Sequence, residues 1–255
     1  MNIAITGDKG FVGSRLKKDL EREGFCISVF NEKKYDFFNV DSLKKFVSNK
    51  DVIIHLAAVN RGTNKEIIAG NVCLTYNLLR AVKKFKSKAK IIYSSSIQAE
   101  IDSVYGLSKR LAEIILKDFS EELQIPVTIF RITNIFGERC RPFYNSAVAT
   151  FCYQAVHNKK LSIQSGSGNK EIQLIYVEEV IKNIIKEIKT RRKNLFFLKY
   201  IASDNKITVE KLAQLINSFK KINLKKKNQT FHSNFYKDLY NTYNWYAKHP
   251  NWPCN

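Results

Sequence analysis

At 255 residues the chain is long enough for one full α/β domain with a smaller appended lobe, and too short for two large domains. Hydrophobic residues make up 44% of it, which excludes wholesale disorder; the longest apolar runs, such as Val52–Ile54 and Ile91–Ile92, are strand-length, and no membrane span is expected. The formal net charge is +20, but its lysines are spread out (Lys17–Lys18, Lys44–Lys45, Lys83–Lys84, Lys159–Lys160, Lys225–Lys227), without one basic stripe interleaved with aromatics. Solvated helix faces and small anionic ligands such as diphosphates are therefore expected, and nucleic acid is not. Cys26, Cys73, Cys140, Cys152 and Cys254 form no CxxC pair and no metal-ligand spacing, so reduced thiols in a cytoplasm and no metal site are expected.

Met1 to Thr6 reads directly as a strand, so no signal peptide is expected. A helical pattern follows, with Leu16 and Leu20 one turn apart. Phe25–Phe30 is a second strand, Leu43, Phe46 and Val47 share a helix face, and Val52–Ala58 is a third strand. Val72–Phe85 reads as helix, Ile91–Tyr93 as strand, Leu107–Leu123 as helix and Val127–Ile132 as strand. Strands and helices alternating at this spacing predict βαβ units: a Rossmann-like, doubly wound parallel sheet of class α/β with a small C-terminal substrate lobe. The alternation weakens after Gly137. Residues 1–137 are expected to form the dinucleotide-binding domain, with a returning strand and helix near 172–188. Segments 138–171 and 189–240 are expected to form the substrate lobe, and 241–255 a tail. The tail's many aromatics, from Phe235 to Tyr246, predict docking on a surface.

Gly7, Gly10 and Gly13 stand between the first strand and a helix start, in Gly7-Asp8-Lys9-Gly10-Phe11-Val12-Gly13. Glycines there let the backbone turn tightly and approach a diphosphate, with the helix N–H groups and positive dipole end aimed at it. Gly7, Lys9, Gly10, Phe11, Val12 and Gly13 are thus cofactor-binding candidates. An acid closing the second strand would hold ribose hydroxyls and favour NAD. Here Phe30 is followed by Asn31-Glu32-Lys33-Lys34, and two lysines near a 2′-phosphate favour NADP(H) over NAD(H), with Asn31 and Lys33 as contacts.

Tyr105-Gly106-Leu107-Ser108-Lys109 places a phenol and an ammonium at i and i+4 near a helix start, on one face. The ammonium of Lys109 would lower the phenol pKa of Tyr105 and bond the nicotinamide ribose. Ser96, after the strand Ile91–Tyr93, would bond the substrate oxygen. With the glycine loop, in this chain order, Ser96, Tyr105 and Lys109 point to hydride transfer between a nicotinamide and a carbonyl carbon.

The GxxGxxG spacing, His55-Leu56-Ala57-Ala58, the Ser94-Ser95-Ser96 run and the Tyr105–Lys109 pair together resemble the extended short-chain dehydrogenases, the nucleotide-sugar epimerases, dehydratases and reductases. The resemblance implies that Leu56, Ala57 and Ala58 pass beneath the cofactor and that Asp36 meets adenine. His55, inside an apolar strand, is read as structural. Asn134, in Arg131-Ile132-Thr133-Asn134-Ile135-Phe136-Gly137, is implied to meet the nucleotide diphosphate. Arg141 and Asn145 lie in the following loop as diphosphate or uracil contacts; Arg61 and Gln98 are candidates for the sugar. Ser96-Ile97-Gln98 lacks the carboxylates that the family's dehydratases carry after the serine, so dehydration is not expected.

His55–Arg61, Ser94–Ala99, Tyr144–Tyr153 and Lys237–Tyr243 resemble one subgroup, reductases of bacterial capsule and O-antigen synthesis that carry a further cupin domain. This implies NADPH-dependent reduction of the 4-keto group of a UDP-linked 6-deoxy-N-acetylhexosamine, on a route to N-acetyl-L-fucosamine. It also implies a homodimer and either a longer parent chain or a separate cupin epimerase as partner. The competing expectations are an NAD-dependent nucleotide-sugar 4-epimerase and a redox-silent NADP-binding regulatory protein.

Overall fold

The computed structural model describes residues 1–221 and 231–252. Lys225–Lys227 and Cys254 lie outside the described residues. In chain order, β1 (Asn2–Thr6) leads through the glycine turn into α1 (Phe11–Arg22), which buries Leu16 and Leu20 as its spacing predicts. β2 (Cys26–Val29), the short α2 (Lys44–Val47) and β3 (Val52–His55) follow. Next come α3 (Asn64–Ile68), a π turn over Ala69–Cys73, and α4 (Leu74–Lys84). β4 (Lys90–Ser96) ends in a 3-10 turn over Ile97–Glu100, before α5 (Val104–Leu123) and β5 (Val127–Ile132).

The remaining elements are β6 (Asn134–Phe136), α6 (Ala147–Val156), β7 (Glu171–Tyr176), α7 (Val177–Lys189), β8 (Phe196–Ile201), β9 (Lys206–Thr208), α8 (Val209–Ser218) and α9 (Asn234–Lys248).

The chain divides into two compact units. The first, Met1–Ile132 with Ile181–Ile201, holds a six-stranded sheet in the order β2-β1-β3-β4-β5-β8, every pairing parallel. β3 is buried at every residue, as a parallel strand covered on both faces must be. Its core joins Ala4, Ile53 and Ile91 of the strands to Leu78 and Val82 of α4, and Ala112 and Leu116 of α5. β1 lies between β2 and β3, so the strand order reverses there. The carboxyl ends of strands at such a switch point are where ligands bind.

The second unit, Thr133–Val180 with Ala202 onward, holds the small sheet β6-β7-β9 and the helices α6, α8 and α9. β7 pairs parallel with β6 and antiparallel with β9. The predicted strand near 172 therefore exists but does not return to the main sheet. The returning strand is β8, in a segment assigned from sequence to the substrate lobe. It runs in register with β5 from Val127↔Phe196 to Ile132↔Ile201. An apolar run such as Ile172-Gln173-Leu174-Ile175 fits a pleated surface in either sheet, and nothing local encodes its partner. Through Lys248 the predicted tail is the second half of α9, a helix that buries Tyr240, Tyr243 and Tyr246 and packs on α6 and α8. Phe219 meets Tyr236 and Tyr240 edge-on, so the aromatics dock as expected.

At the amino ends of the first unit's strands sits a buried charge cluster. The Glu187 carboxylate of α7 accepts from Lys90 Nζ at 2.5 Å, Thr128 Oγ1 at 2.9 Å and Arg192 Nη2 at 2.5 Å. It joins β4, β5, α7 and the approach to β8.

Candidate active site

The glycine turn leaves β1 at the switch point. Gly7 has φ +75°, and a Cβ there would lie 2.7 Å from Ala57 N; a Cβ on Gly13 would lie 2.1 Å from Gly7 O. The protein's own backbone thus requires both glycines. Gly10 differs: it is exposed, and a Cβ there would meet only Gly7 O of its own turn, at 3.2 Å. Gly10 is the N-cap of α1, which has neither a side-chain cap nor an acid in its first turn. The first N–H groups of a helix have no partner within it, and its dipole end is positive. An open turn with uncapped donors fits a diphosphate. Lys9 is exposed beside it, and Phe11 and Val12 supply first-turn N–H groups. Gly13→Ala must push the Gly7 carbonyl aside, so nicotinamide dinucleotide affinity is expected to fall at least about tenfold, or about 1.4 kcal/mol, by fluorescence titration.

After β2, the Asn31 side chain accepts from Lys33 N at 2.9 Å and its carbonyl from Lys34 N at 2.8 Å. This tight turn leaves Lys33 and Lys34 exposed. The Asp36 carboxylate accepts from Phe38 N at 2.8 Å, so it shapes the same loop. On the other side of β1, Leu56–Ala58 continue from β3, and Ala57 N donates to Thr6 Oγ1 at 3.2 Å. His55 is wholly buried, with Nδ1 2.7 Å from Thr6 Oγ1 and Nε2 3.1 Å from Thr75 Oγ1. Burial, then the charge of Lys109, push its pKa down to about 3. A neutral, doubly bonded imidazole is a core group, as read from sequence.

The groups predicted to react stand at and beside the carboxyl end of β4. Ser96 is its last residue, and its Oγ accepts from Gln98 N at 3.2 Å, capping the 3-10 turn. α5 begins under Ser103, whose hydroxyl accepts from Gly106 N at 3.0 Å. A Cβ on Gly106 would lie 2.2 Å from Gln98 O and 2.3 Å from Ile101 O, so the first turn of α5 lies directly on the turn that follows Ser96. That close packing brings Tyr105 to the end of β4. One helical turn on, Lys109 is only 2% exposed and donates to Ser94 O at 2.9 Å and Tyr93 Oη at 3.1 Å. Burial lowers its pKa to about 7, against the raising effect of Glu113. The Tyr93 phenol is pushed well up, by burial first and then by Tyr105 beside it.

Two buried groups, Asn71 and Glu113, and the half-buried Arg131 escaped the sequence reading. Asn71, within the π turn, accepts from Val59 N at 2.9 Å and donates to Val59 O at 2.9 Å and Ser108 Oγ at 3.0 Å. It ties the loop after β3 to α5 between Tyr105 and Lys109. The signal was Gly70-Asn71, two poor helix formers just ahead of the helical pattern Val72–Phe85; a Cβ on Gly70 would lie 2.2 Å from Val59 Cγ2. Buried Glu113 pairs with the half-buried Arg131, Nη2 to Oε2 2.6 Å. Arg131 announced itself as a charge in the apolar strand Val127–Ile132, where it needs a partner.

Of the predicted substrate residues, Arg61 and Gln98 are exposed residues of the first unit, just before the N-cap of α3 and in the 3-10 turn after Ser96. Asn134, Arg141 and Asn145 are exposed residues of the second. Asn134 Nδ2 donates to Gln173 O at 3.1 Å, and the Arg141 guanidinium lies over the Tyr144 ring. Cys26, Cys73, Cys140 and Cys152 form no disulfide; no metal-binding group of His, Cys, Asp or Glu occurs among the described residues. Nor is any described helix long and apolar enough to cross a membrane.

An open glycine turn at the end of β1, with Ser96, Tyr105 and buried Lys109 at the end of β4 two strands away, is the arrangement expected of a nicotinamide-dependent oxidoreductase. Residues 3–195 match the model of the NAD dependent epimerase/dehydratase family, and the chain belongs to that family. It is 36% identical over 245 residues to UDP-2-acetamido-2,6-beta-L-arabino-hexul-4-ose reductase of Pseudomonas aeruginosa, covering 95% of this chain and 64% of that one. The crystal structure of the capsular polysaccharide assembling protein CapF from Staphylococcus aureus is similar with TM-score 0.79 and 34% identity, over 99% of this chain and 67% of that one. A UDP-glucose 4-epimerase of Thermotoga maritima shares the fold, with TM-score 0.83 and 19% identity over 98% of this chain and 99% of that one. The chain thus spans about two thirds of the reductase and CapF, and nearly the whole of the epimerase.

Proposed function

We propose that this chain uses NADPH to reduce the 4-keto group of a UDP-linked 6-deoxy-N-acetylhexosamine, a step towards N-acetyl-L-fucosamine in surface polysaccharide. The observation that carries the reading is the buried Lys109 Nζ, held by Ser94 O and Tyr93 Oη one helical turn from Tyr105. A bound nicotinamide supplies the hydride. Ser96 donates a hydrogen bond that holds the keto oxygen, and Tyr105 delivers its phenol proton to that oxygen as charge develops there. The Lys109 ammonium lowers the cost of the phenolate left behind and bonds the ribose. Arg61 and Gln98 are assigned to the sugar, and Asn134, Arg141 and Asn145 to the nucleoside diphosphate. The names of the relatives support the nucleotide-sugar class. The run Ser96-Ile97-Gln98, without the dehydratase carboxylates, supports reduction over elimination.

The test follows NADPH absorbance with enzymatically made UDP-4-keto-6-deoxy-N-acetylhexosamine, with and without an added cupin epimerase. Substrate-dependent oxidation is expected; oxidation only with the epimerase would identify that protein as the partner. Interconversion of UDP-sugars with a retained cofactor and no net NADPH loss would replace this reading with the 4-epimerase. Exposed Lys33 and Lys34 carry the NADP preference. Replacing both with alanine is expected to raise KM for NADPH about tenfold, about 1.4 kcal/mol, and to leave KM for NADH nearly unchanged. Equal effects on both would remove the 2′-phosphate role.

The homodimer is proposed from α5. Leu107, Leu111 and Ile114 form an exposed apolar stripe at helical spacing, and Tyr76 of the adjoining α4 is exposed as well. Sedimentation is expected to find a dimer that Ile114→Glu turns into a monomer; a monomeric parent would refute it.

A further inference from the structure

Glu113 lies one helical turn beyond Lys109 on α5, and it is 5% exposed. Three elements meet at its carboxylate. Ser95 of β4, next to Ser96, donates its hydroxyl to Oε1 at 2.5 Å. Arg131 of β5, the register partner of Ser95, donates from Nε at 3.0 Å and from Nη2 at 2.6 Å. Arg131 is held in turn by Glu100, at 2.8 Å, and by Tyr200 of β8, also at 2.8 Å. The strand end that bears Ser96 and the helix that bears Tyr105 and Lys109 are therefore fastened to each other through one carboxylate.

We propose that Glu113 is a positioning residue for the reaction: its carboxylate locks Ser96 against the Tyr105–Lys109 face, and its charge, one helical turn from Lys109, favours the protonated amine. This rests on the reading of Ser96, Tyr105 and Lys109 as the reacting groups. The charged and titratable groups around Lys109 are Tyr105 and Glu113 on its own helix, Tyr93 on β4 and His55 on β3, with Arg131 of β5 paired to Glu113. His55 is neutral and Tyr93 is protonated. Glu113 is thus the anion among them that favours the charged amine, while burial opposes it.

The test compares pH profiles of kcat for the wild-type protein, Glu113→Gln, Glu113→Asp and Ser95→Ala. Loss of the anion lets Lys109 deprotonate earlier, so in Glu113→Gln the alkaline limb is expected to move down by about one pH unit. Glu113→Asp keeps the charge, and its limb is expected at the wild-type position with a reduced kcat. Ser95→Ala removes a neutral bond and is expected to leave the limb in place. An unmoved limb in Glu113→Gln, or a limb displaced in Ser95→Ala as far as in Glu113→Gln, would overturn the proposal. So would a displaced limb in Glu113→Asp, which decides alone if the glutamine variant fails to fold. NMR titration of lysine Cε signals without substrate, with Lys109→Met for assignment, reads the same shift independently of turnover. Failure of the site reading has its own signature: full activity in Tyr105→Phe, with the Lys109 signal still moved by Glu113→Gln.

Discussion

Tyr105→Phe is expected to lower kcat about a hundred- to ten-thousandfold, the usual contribution of a positioned general acid, while NADPH still binds. The ring keeps its place because that place is set by backbone: the Ser103 cap on Gly106 N and the close approach of Gly106 to Gln98 O and Ile101 O. The proton donor is lost. The Lys109 ammonium keeps its bonds to Ser94 O and Tyr93 Oη, so the ribose contact assigned to it survives. Stopped-flow measurement of a single turnover separates the chemical step from binding. A variant that loses NADPH affinity and turnover in equal proportion would mean that Tyr105 binds rather than protonates.

The second large effect concerns stability. Glu187 is 2% exposed and gathers Lys90, Thr128 and Arg192 at the amino ends of β4 and β5. Removing one partner of a buried ion pair leaves the others uncompensated, at a cost of about 3–5 kcal/mol. Arg192 and Lys90 retain some access to solvent, which places Glu187→Ala near the lower end, about 3 kcal/mol by urea unfolding. Burial opposes ionisation of Glu187, but hydrogen bonds from Arg192, Lys90 and Thr128 outweigh it and hold its pKa below the ordinary value. The stabilisation is therefore complete above the ordinary carboxylate range and is lost as the pH falls through the folded-state value. The gap between wild type and variant should close in acid. A gap that stays constant to low pH would assign the loss to packing alone.

The parts legible in the sequence were those whose signal is local. The glycine turn, the apolar β3 and the Tyr105–Lys109 spacing each carry their cause within a few residues, and the structure places them where that cause demands. The parts missed depend on partners far away in the chain. β8 is an edge strand, half-buried along most of its length, so Phe196–Ile201 lacks the continuous apolar run that marked β3. Asn71 and Glu113 matter through Val59, Ser108, Ser95 and Arg131, none of which is near in sequence. The end of β2 was legible in composition only: the turn at Asn31 explains why Lys33 and Lys34 are exposed, while their ligand is a proposal.

The most direct test of the central claim is the path of the hydride. NADPH carrying deuterium at the transferred position is incubated with UDP-4-keto-6-deoxy-N-acetylhexosamine, and the product is examined by NMR. One deuterium at sugar C4, absent from the Tyr105→Phe reaction, is the predicted result. An unlabelled product, or sugars interconverted while the label stays on the cofactor, would contradict it.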